Sequence, residues 1–231
     1  HAEHCAECVV GKYSAASGAA SETMCNLCPP GTFGVIHGAT DTTNGCSECP
    51  VGKFTDLGGQ VECTEVSGGL FFQDEPSMSY AKKCSICSPG LRVVSECTAT
   101  TDTKCEACQP GFFSTNGTAC NLCGGQGEYA ATGGSAYCST TTAGYKPSLD
   151  RTSEDICPEN TFSLGASDTC TMCERGFSYA GATTCITCKP GYETDYELKS
   201  CKECQKGFYS SDGLACLPCS GEGEYTATKG S

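Results

Sequence analysis

Apolar positions along this chain fall in short, evenly spaced clusters, and each cluster is built the same way. A cysteine is followed three residues later by glycine at positions 11, 31, 52, 90, 111, 176, 191 and 207. An aromatic side chain usually comes one or two residues after that, as Tyr13, Phe33, Phe54, Phe112, Phe162, Phe177, Tyr192 and Phe208. Cys28-Pro-Pro-Gly-Thr-Phe33 and Cys49-Pro-Val-Gly-Lys-Phe54 are typical, and after Cys157 the glycine is replaced by Asn160. Gly exchanged only for Asn marks backbone that turns with positive φ, because those two residues tolerate the left-handed region best. The pattern predicts a short β-hairpin with a tight turn in each unit, its ring lying over a disulfide as a miniature core. The expected fold class is small, disulfide-rich and all-β. It is an elongated tandem array of hairpin modules with little helix and no central core, each module touching mainly its sequence neighbours.

A longer period lies over the short one. Residues 105–135 and 201–231 align without gaps at an offset of 96, with 18 of 31 positions identical. Cys120-Asn-Leu-Cys-Gly-Gly-Gln-Gly-Glu-Tyr129 matches Cys216-Leu-Pro-Cys-Ser-Gly-Glu-Gly-Glu-Tyr225. In the first copy Cys138 follows Ser135 by three residues, whereas the second copy stops at Ser231, before its counterpart. The chain also starts at His1 with neither a Met nor a signal peptide. It therefore reads as a processed product or an excerpt of a longer array, cut inside a repeat.

Composition explains why such units need covalent help. The 231 residues include 24 cysteines and no Trp, and Leu, Ile, Val and Phe together make up only 13 per cent. Below roughly 20 per cent a chain seldom buries enough apolar surface to offset ordering its backbone. Cross-links must hold the fold, which points to an oxidising compartment, extracellular or at the cell surface after the secretory pathway. The net charge of −13 argues against nucleic acid and anionic membrane surfaces as partners. No apolar run approaches the ~20 residues of a membrane-spanning helix, so no direct membrane insertion is expected of this segment.

Ten Cys-x-x-Cys pairs run from Cys5/Cys8 to Cys216/Cys219. Cysteines so close in sequence seldom bond to each other in a structural framework, so each looks to a neighbouring pair. Joining the second cysteine of one pair to the next cysteine along gives Cys8–Cys25, Cys28–Cys46, Cys49–Cys63, Cys108–Cys120, Cys123–Cys138, Cys157–Cys170, Cys173–Cys185, Cys188–Cys201 and Cys204–Cys216. These loops enclose 11 to 17 residues, each worth roughly 3 kcal/mol in the chain-entropy model. Diversion of Cys123 to Cys157 remains an alternative. The same spacings also suit tetrahedral zinc, but a zinc site does not need the recurrent turn and aromatic, so no metal or other cofactor is expected. Cys5 and Cys219 are left over. A bond from Cys219 to Cys5 of a following copy would enclose 16 residues, 12 from Ser220 to Ser231 and four from His1 to His4.

The segment Cys84-Ser-Ile-Cys87-Ser-Pro-Gly-Leu-Arg-Val-Val-Ser-Glu-Cys97-Thr-Ala-Thr-Thr-Asp-Thr-Lys-Cys105 resembles the second half of a tumour-necrosis-factor-receptor cysteine-rich domain. That resemblance implies the crossed bonds Cys84–Cys97 and Cys87–Cys105, with nested Cys84–Cys105 and Cys87–Cys97 as the alternative. Cys49 to Cys63 is similar to the first half, with residues 64–83 intruding. The remaining units resemble ephrin-receptor-like cysteine-rich repeats. The expected organisation is ephrin-receptor-like modules over 1–48, a TNF-receptor-like domain over 49–107 with insertion 64–83, cysteine-rich modules over 108–156 with insertion 139–156, and further modules over 157–231, the last completed by the next copy.

Candidate chemistry is sparse. Three histidines, His1, His4 and His37, offer no nucleophilic triad, and the carboxylates form no EF-hand pattern, so an enzyme is not expected. Leu70-Phe71-Phe72, the most apolar triplet, sits in the first insertion and either covers its own module or makes a lateral contact. Asn116-Gly117-Thr118 is an N-glycosylation sequon whose equivalent in the later copy is Asp212, and Thr140-Thr141-Thr142 is a candidate for O-linked sugars. The leading expectation is a glycosylated structural subunit of an extracellular filament or surface coat, its partner being copies of itself head to tail. The alternatives are a ligand-binding receptor ectodomain and a protist surface antigen.

Overall fold

A computed structural model describes residues 7–16 and 22–220. The chain divides into two compact units, His1–Ser88 with Val93–Glu106, and Pro89–Arg92 with Ala107–Ser231. Among the described residues there are eleven two-stranded sheets, each made by strands adjacent in sequence. Typical hairpins pair Thr32–Gly34 with Cys46–Glu48 and Phe112–Phe113 with Asn121–Leu122. Helix is confined to single turns such as Thr42–Gly45, where the Asp41 carboxylate caps the amides of Thr43 and Asn44. The fold is thus a tandem array of small disulfide-rich hairpins.

The eight glycines three residues after a cysteine, and Asn160, do adopt positive φ, between 79° and 89° for the glycines and 62° for Asn160. Space as well as torsion demands glycine here: at Gly90 a Cβ would run into the carbonyl oxygen of Gly134, and at Gly31 into that of Ser77.

Both close approaches arise because successive modules are spliced by backbone hydrogen bonds. The cysteine that opens a module donates its N–H to the turn residue of the module before: Cys28 to Gly11 at 2.8 Å, Cys49 to Gly31 at 3.0 Å, Cys123 to Gly111 at 3.0 Å, Cys204 to Gly191 at 2.9 Å. The turn residue donates its own N–H forward, as Gly31 does to Thr55 at 2.9 Å and Gly191 to Ser210 at 2.8 Å. A loop amide of the later module returns to the opening cysteine of the earlier one, Gly59 to Cys28 and Gly134 to Cys108, both at 2.8 Å. These bonds satisfy backbone groups that two-residue strands leave unpaired.

The interior differs from the expected ring-over-disulfide arrangement. Its buried positions are the opening cysteines, with Cys28, Cys49, Cys123, Cys157 and Cys204 wholly inaccessible, and small hydroxyl residues three or so after the turn, Thr55, Ser114, Ser163 and Ser210. Of the eight aromatics, Phe177 is buried, Tyr13, Phe33, Phe54, Phe162 and Tyr192 are half-buried, and Phe112 and Phe208 are exposed. The hydroxyls buried after the turn are hydrogen-bonded. The Ser114 and Ser210 hydroxyls accept from Gly117 and Gly213 at 3.1 Å each, and that of Thr55 accepts from Gly31 at 2.8 Å.

The two cysteine-poor segments, read from sequence as insertions, fold as hairpin modules without a disulfide. Val66 donates to Gly52 at 2.9 Å and Thr141 to Gly127 at 2.8 Å, as opening cysteines do, and both are buried. Gly69 and Gly144 follow three residues later with positive φ, and the hairpins Phe71–Phe72 with Lys82–Lys83 and Tyr145–Pro147 with Glu154–Ile156 follow in turn. The loop bond is kept too, Ser77 to Cys49 at 3.0 Å and Ala166 to Thr141 at 2.9 Å. The splice uses main-chain atoms, so it survives loss of the sulfur.

Candidate functional site

The structure joins Cys8–Cys25, Cys28–Cys46, Cys49–Cys63, Cys108–Cys120, Cys123–Cys138, Cys157–Cys170, Cys173–Cys185, Cys188–Cys201 and Cys204–Cys216. The crossed pair is Cys84–Cys97 and Cys87–Cys105. Among the described residues Cys219 alone is a free cysteine. It is half-buried and donates its N–H to Gly207 at 3.0 Å, the bond that opening cysteines make elsewhere. Its place matches that of Cys123, whose partner Cys138 lies 15 residues further along. Cys5 falls outside the described residues. Among the described residues no group of three or more His, Cys, Asp or Glu side chains is disposed to hold a metal ion.

The first disulfide-free hairpin carries an apolar groove of ≈ 500 Å³, lined by Phe54, Val66, Leu70, Phe71, Tyr80 and Ala81 among others. The triplet at its wall splits. Phe72 is buried, so it covers its own module and is removed from the candidate lateral contact, while Leu70 is 68% and Phe71 43% exposed. Strand alternation turns neighbours to opposite faces, and cation–π contact from the Lys82 ammonium, 5.9 Å from the ring centroid, holds Phe72 inward. The loop between the strands is pinned by fully buried Gln73, which donates to the Tyr80 carbonyl at 2.9 Å and accepts from the Glu75 amide at 3.1 Å. Lys82 also pairs with Asp74 at 2.7 Å and Glu75 at 3.0 Å. Hydrogen bonding from that ammonium holds the Asp74 carboxyl below its usual range.

Polar bonds occupy the equivalent place in the second disulfide-free hairpin. Glu154 stands opposite Pro147, as the bonded Cys46 stands opposite Gly34, and accepts from the Thr142 amide at 2.6 Å. Arg151, in left-handed backbone with φ 60°, reaches two neighbouring modules. It donates to the carbonyls of Gly125 at 3.2 Å and Glu128 at 3.1 Å, and to the Asp168 carboxylate at 2.8 Å. Asp168 also accepts from the Gly127 amide at 2.8 Å. The Arg151 hydrogen bond, then that of Gly127, holds its carboxyl below the ordinary value. Sequence reasoning missed this clamp, because nothing in local spacing relates Arg151 to Asp168.

Asn116 is exposed in the loop of the hairpin closed by Cys108–Cys120. Its Oδ1 accepts from the Thr118 amide at 3.1 Å and the Thr118 hydroxyl at 2.7 Å. Of the threonine run, Thr140 and Thr142 are exposed and Thr141 is buried, so Thr141 is withdrawn as an O-glycan acceptor. Among the described residues no helix is long and apolar enough to cross a membrane.

Residues 68–105 match the TNFR/NGFR cysteine-rich region, a stretch that holds the first disulfide-free hairpin and the crossed disulfides. No curated protein matches the chain. The TNFR/NGFR match spans 38 of the 231 residues; the chain as a whole is a tandem array of small disulfide-rich modules, and its disulfides fit an oxidising, extracytoplasmic compartment.

Proposed function

We propose that this protein is a non-enzymatic structural subunit of an extracellular filament or surface coat, assembled head to tail from copies of the same spliced array. The observation that carries the reading is Cys219. Its amide already makes the inter-module bond to Gly207, and its Sγ has no partner among the described residues, at a place where Cys123 closes a loop. Cys5 of a following copy is the partner assigned to it, through a continuous polypeptide or between subunits. Each joint then repeats the backbone splice seen inside the array and adds one disulfide.

Peptide mapping of the native protein without reduction tests this. A linked pair containing Cys219 and Cys5, together with sedimentation as polymer that Cys219→Ser reduces, is the expected result. Quantitative alkylation of Cys219 in a monodisperse monomer overturns it. A second reading, a ligand-binding ectodomain, draws support from the exposed apolar groove that partly overlaps the segment matching the TNFR/NGFR region. Saturable binding of a soluble protein by the monomer, abolished by Leu70→Asp, would favour that reading over the filament.

A further inference from the structure

We infer that Asn116 is an N-glycosylation site, taking an oligosaccharide from a lipid-pyrophosphate donor. The inference holds for either assembly reading, since both route the chain through an oxidising secretory compartment. The sequon Asn116-Gly117-Thr118 lies in a loop whose conformation presents the acceptor nitrogen. Oδ1 is occupied by the Thr118 amide at 3.1 Å and the Thr118 hydroxyl at 2.7 Å, while among the described residues no hydrogen bond engages Nδ2. Drawing donors onto Oδ1 leaves the two N–H bonds of the carboxamide facing solvent on an exposed residue. The loop is braced beneath by the buried Ser114 hydroxyl, which accepts from Gly117 at 3.1 Å, and by φ 76° at Gly117. The acceptor is therefore held in one shape rather than selected from many, which lowers the ordering cost of engaging an enzyme.

The reaction balances without a redox partner. The new bond joins Asn116 Nδ2 to C1 of the first sugar, and the bond between C1 and the pyrophosphate oxygen breaks. The lipid pyrophosphate leaves with the bonding pair, and one carboxamide proton passes to a base of the transferase. The later copy supplies an internal control. Asp212 accepts from the Leu214 amide at 3.1 Å, and Ser210 accepts from Gly213 at 3.1 Å, so the same loop recurs with a carboxylate in place of the carboxamide.

The test is glycopeptide mass spectrometry of the full chain secreted from a eukaryotic host. Wild type is expected to carry hexose and N-acetylhexosamine mass on the Asn116 peptide, removed by peptide-N-glycosidase with conversion to Asp. Thr118→Ala is expected to lose it and Thr118→Ser to keep it. Asp212→Asn combined with Leu214→Thr is expected to gain a second glycan. Should a variant fail to be secreted, occupancy of the wild-type peptide still decides. An unmodified Asn116 in secreted wild-type protein overturns the inference.

Discussion

The hairpins at 71–83 and 145–156 both lack a closing disulfide and are held shut differently. The first is sealed by apolar side chains, Val66 in the cysteine's place and Phe72 turned inward, with Lys82 paired to Asp74 and Glu75 around the loop. The second is sealed by polar bonds, Thr141 in the cysteine's place, Glu154 on the Thr142 amide and Arg151 reaching Asp168. Both keep the backbone splice to their neighbours. The splice thus persists where the sulfur rung is absent, and that rung is one of several ways to hold a hairpin closed. The apolar solution leaves Leu70 and Phe71 exposed beside a groove, whereas the polar one leaves Leu149 and Ile156 exposed on its hairpin.

Local stabilities are best read by native-state hydrogen exchange, since an array of modules opens piecewise. The largest expected loss is at Phe72→Ala, about 3 kcal/mol for emptying a buried aromatic site, seen as faster exchange at the Val66 and Gln73 amides but not at Thr141. Equal loss in both hairpins would mean the two seals are not independent. A gain of similar size, roughly 3 kcal/mol, is expected from Thr141→Cys with Glu154→Cys, which restores a loop like the other rungs. Failure of these thiols to oxidise would refute the equivalence of the positions.

Arg151→Ala removes hydrogen bonds to two neighbouring modules and is expected to cost about 2 kcal/mol, confined to amides near Thr141. The acid response follows from Asp168. Its folded carboxyl is held down by Arg151 and the Gly127 amide, so its contribution is complete above the unfolded value of about 3.9. It is lost as pH falls through the lower folded value, because the unfolded state then binds more protons. Protection of the Gly127 amide should fall below about pH 4 in wild type, and an identical fall in Asp168→Asn would contradict this cause.

Exchanging the two seals gives a smaller effect of opposite sign. The Thr141 hydroxyl is buried without a hydrogen-bond partner, so Thr141→Val should stabilise by about 1 kcal/mol, and Val66→Thr should destabilise by a comparable amount. Smallest of all, Leu70→Ser should change stability by less than about 0.5 kcal/mol, being a surface position. If it weakens self-association by sedimentation, the groove is a lateral contact. If it leaves association intact, the apolar seal is only structural.

Much of the frame was legible from residues alone, for local reasons. A glycine or Asn160 three residues after cysteine needs left-handed backbone, and the structure places it there. Sequential pairing follows from the Cys-x-x-Cys spacing, since cysteines separated by two residues look to the neighbouring pair, and the crossed pair follows from a family resemblance. Even the disulfide-free modules left a trace, since Cys63-Thr-Glu-Val66 and Cys138-Ser-Thr-Thr141 keep the spacing of a pair whose second cysteine is replaced. Reading by cysteine alone hides them, because the replaced residues share no chemistry with sulfur.

What only the tertiary structure decided is how one module meets the next. The splice is made by main-chain N–H and C=O groups, which every residue carries, so no side chain announces it. Where modules meet, Ser114 and Ser163 lie in the interior while Phe112 and Phe208 are exposed. Phe72 is turned inward while Phe71 faces solvent, and Arg151 is brought to the carbonyl of Glu128 and to Asp168. Sequence by itself determined the hairpin, its turn and its cross-link, which are short-range. The interior and the exposed groove were determined by backbone bonds between modules, which are long-range and indifferent to side-chain identity.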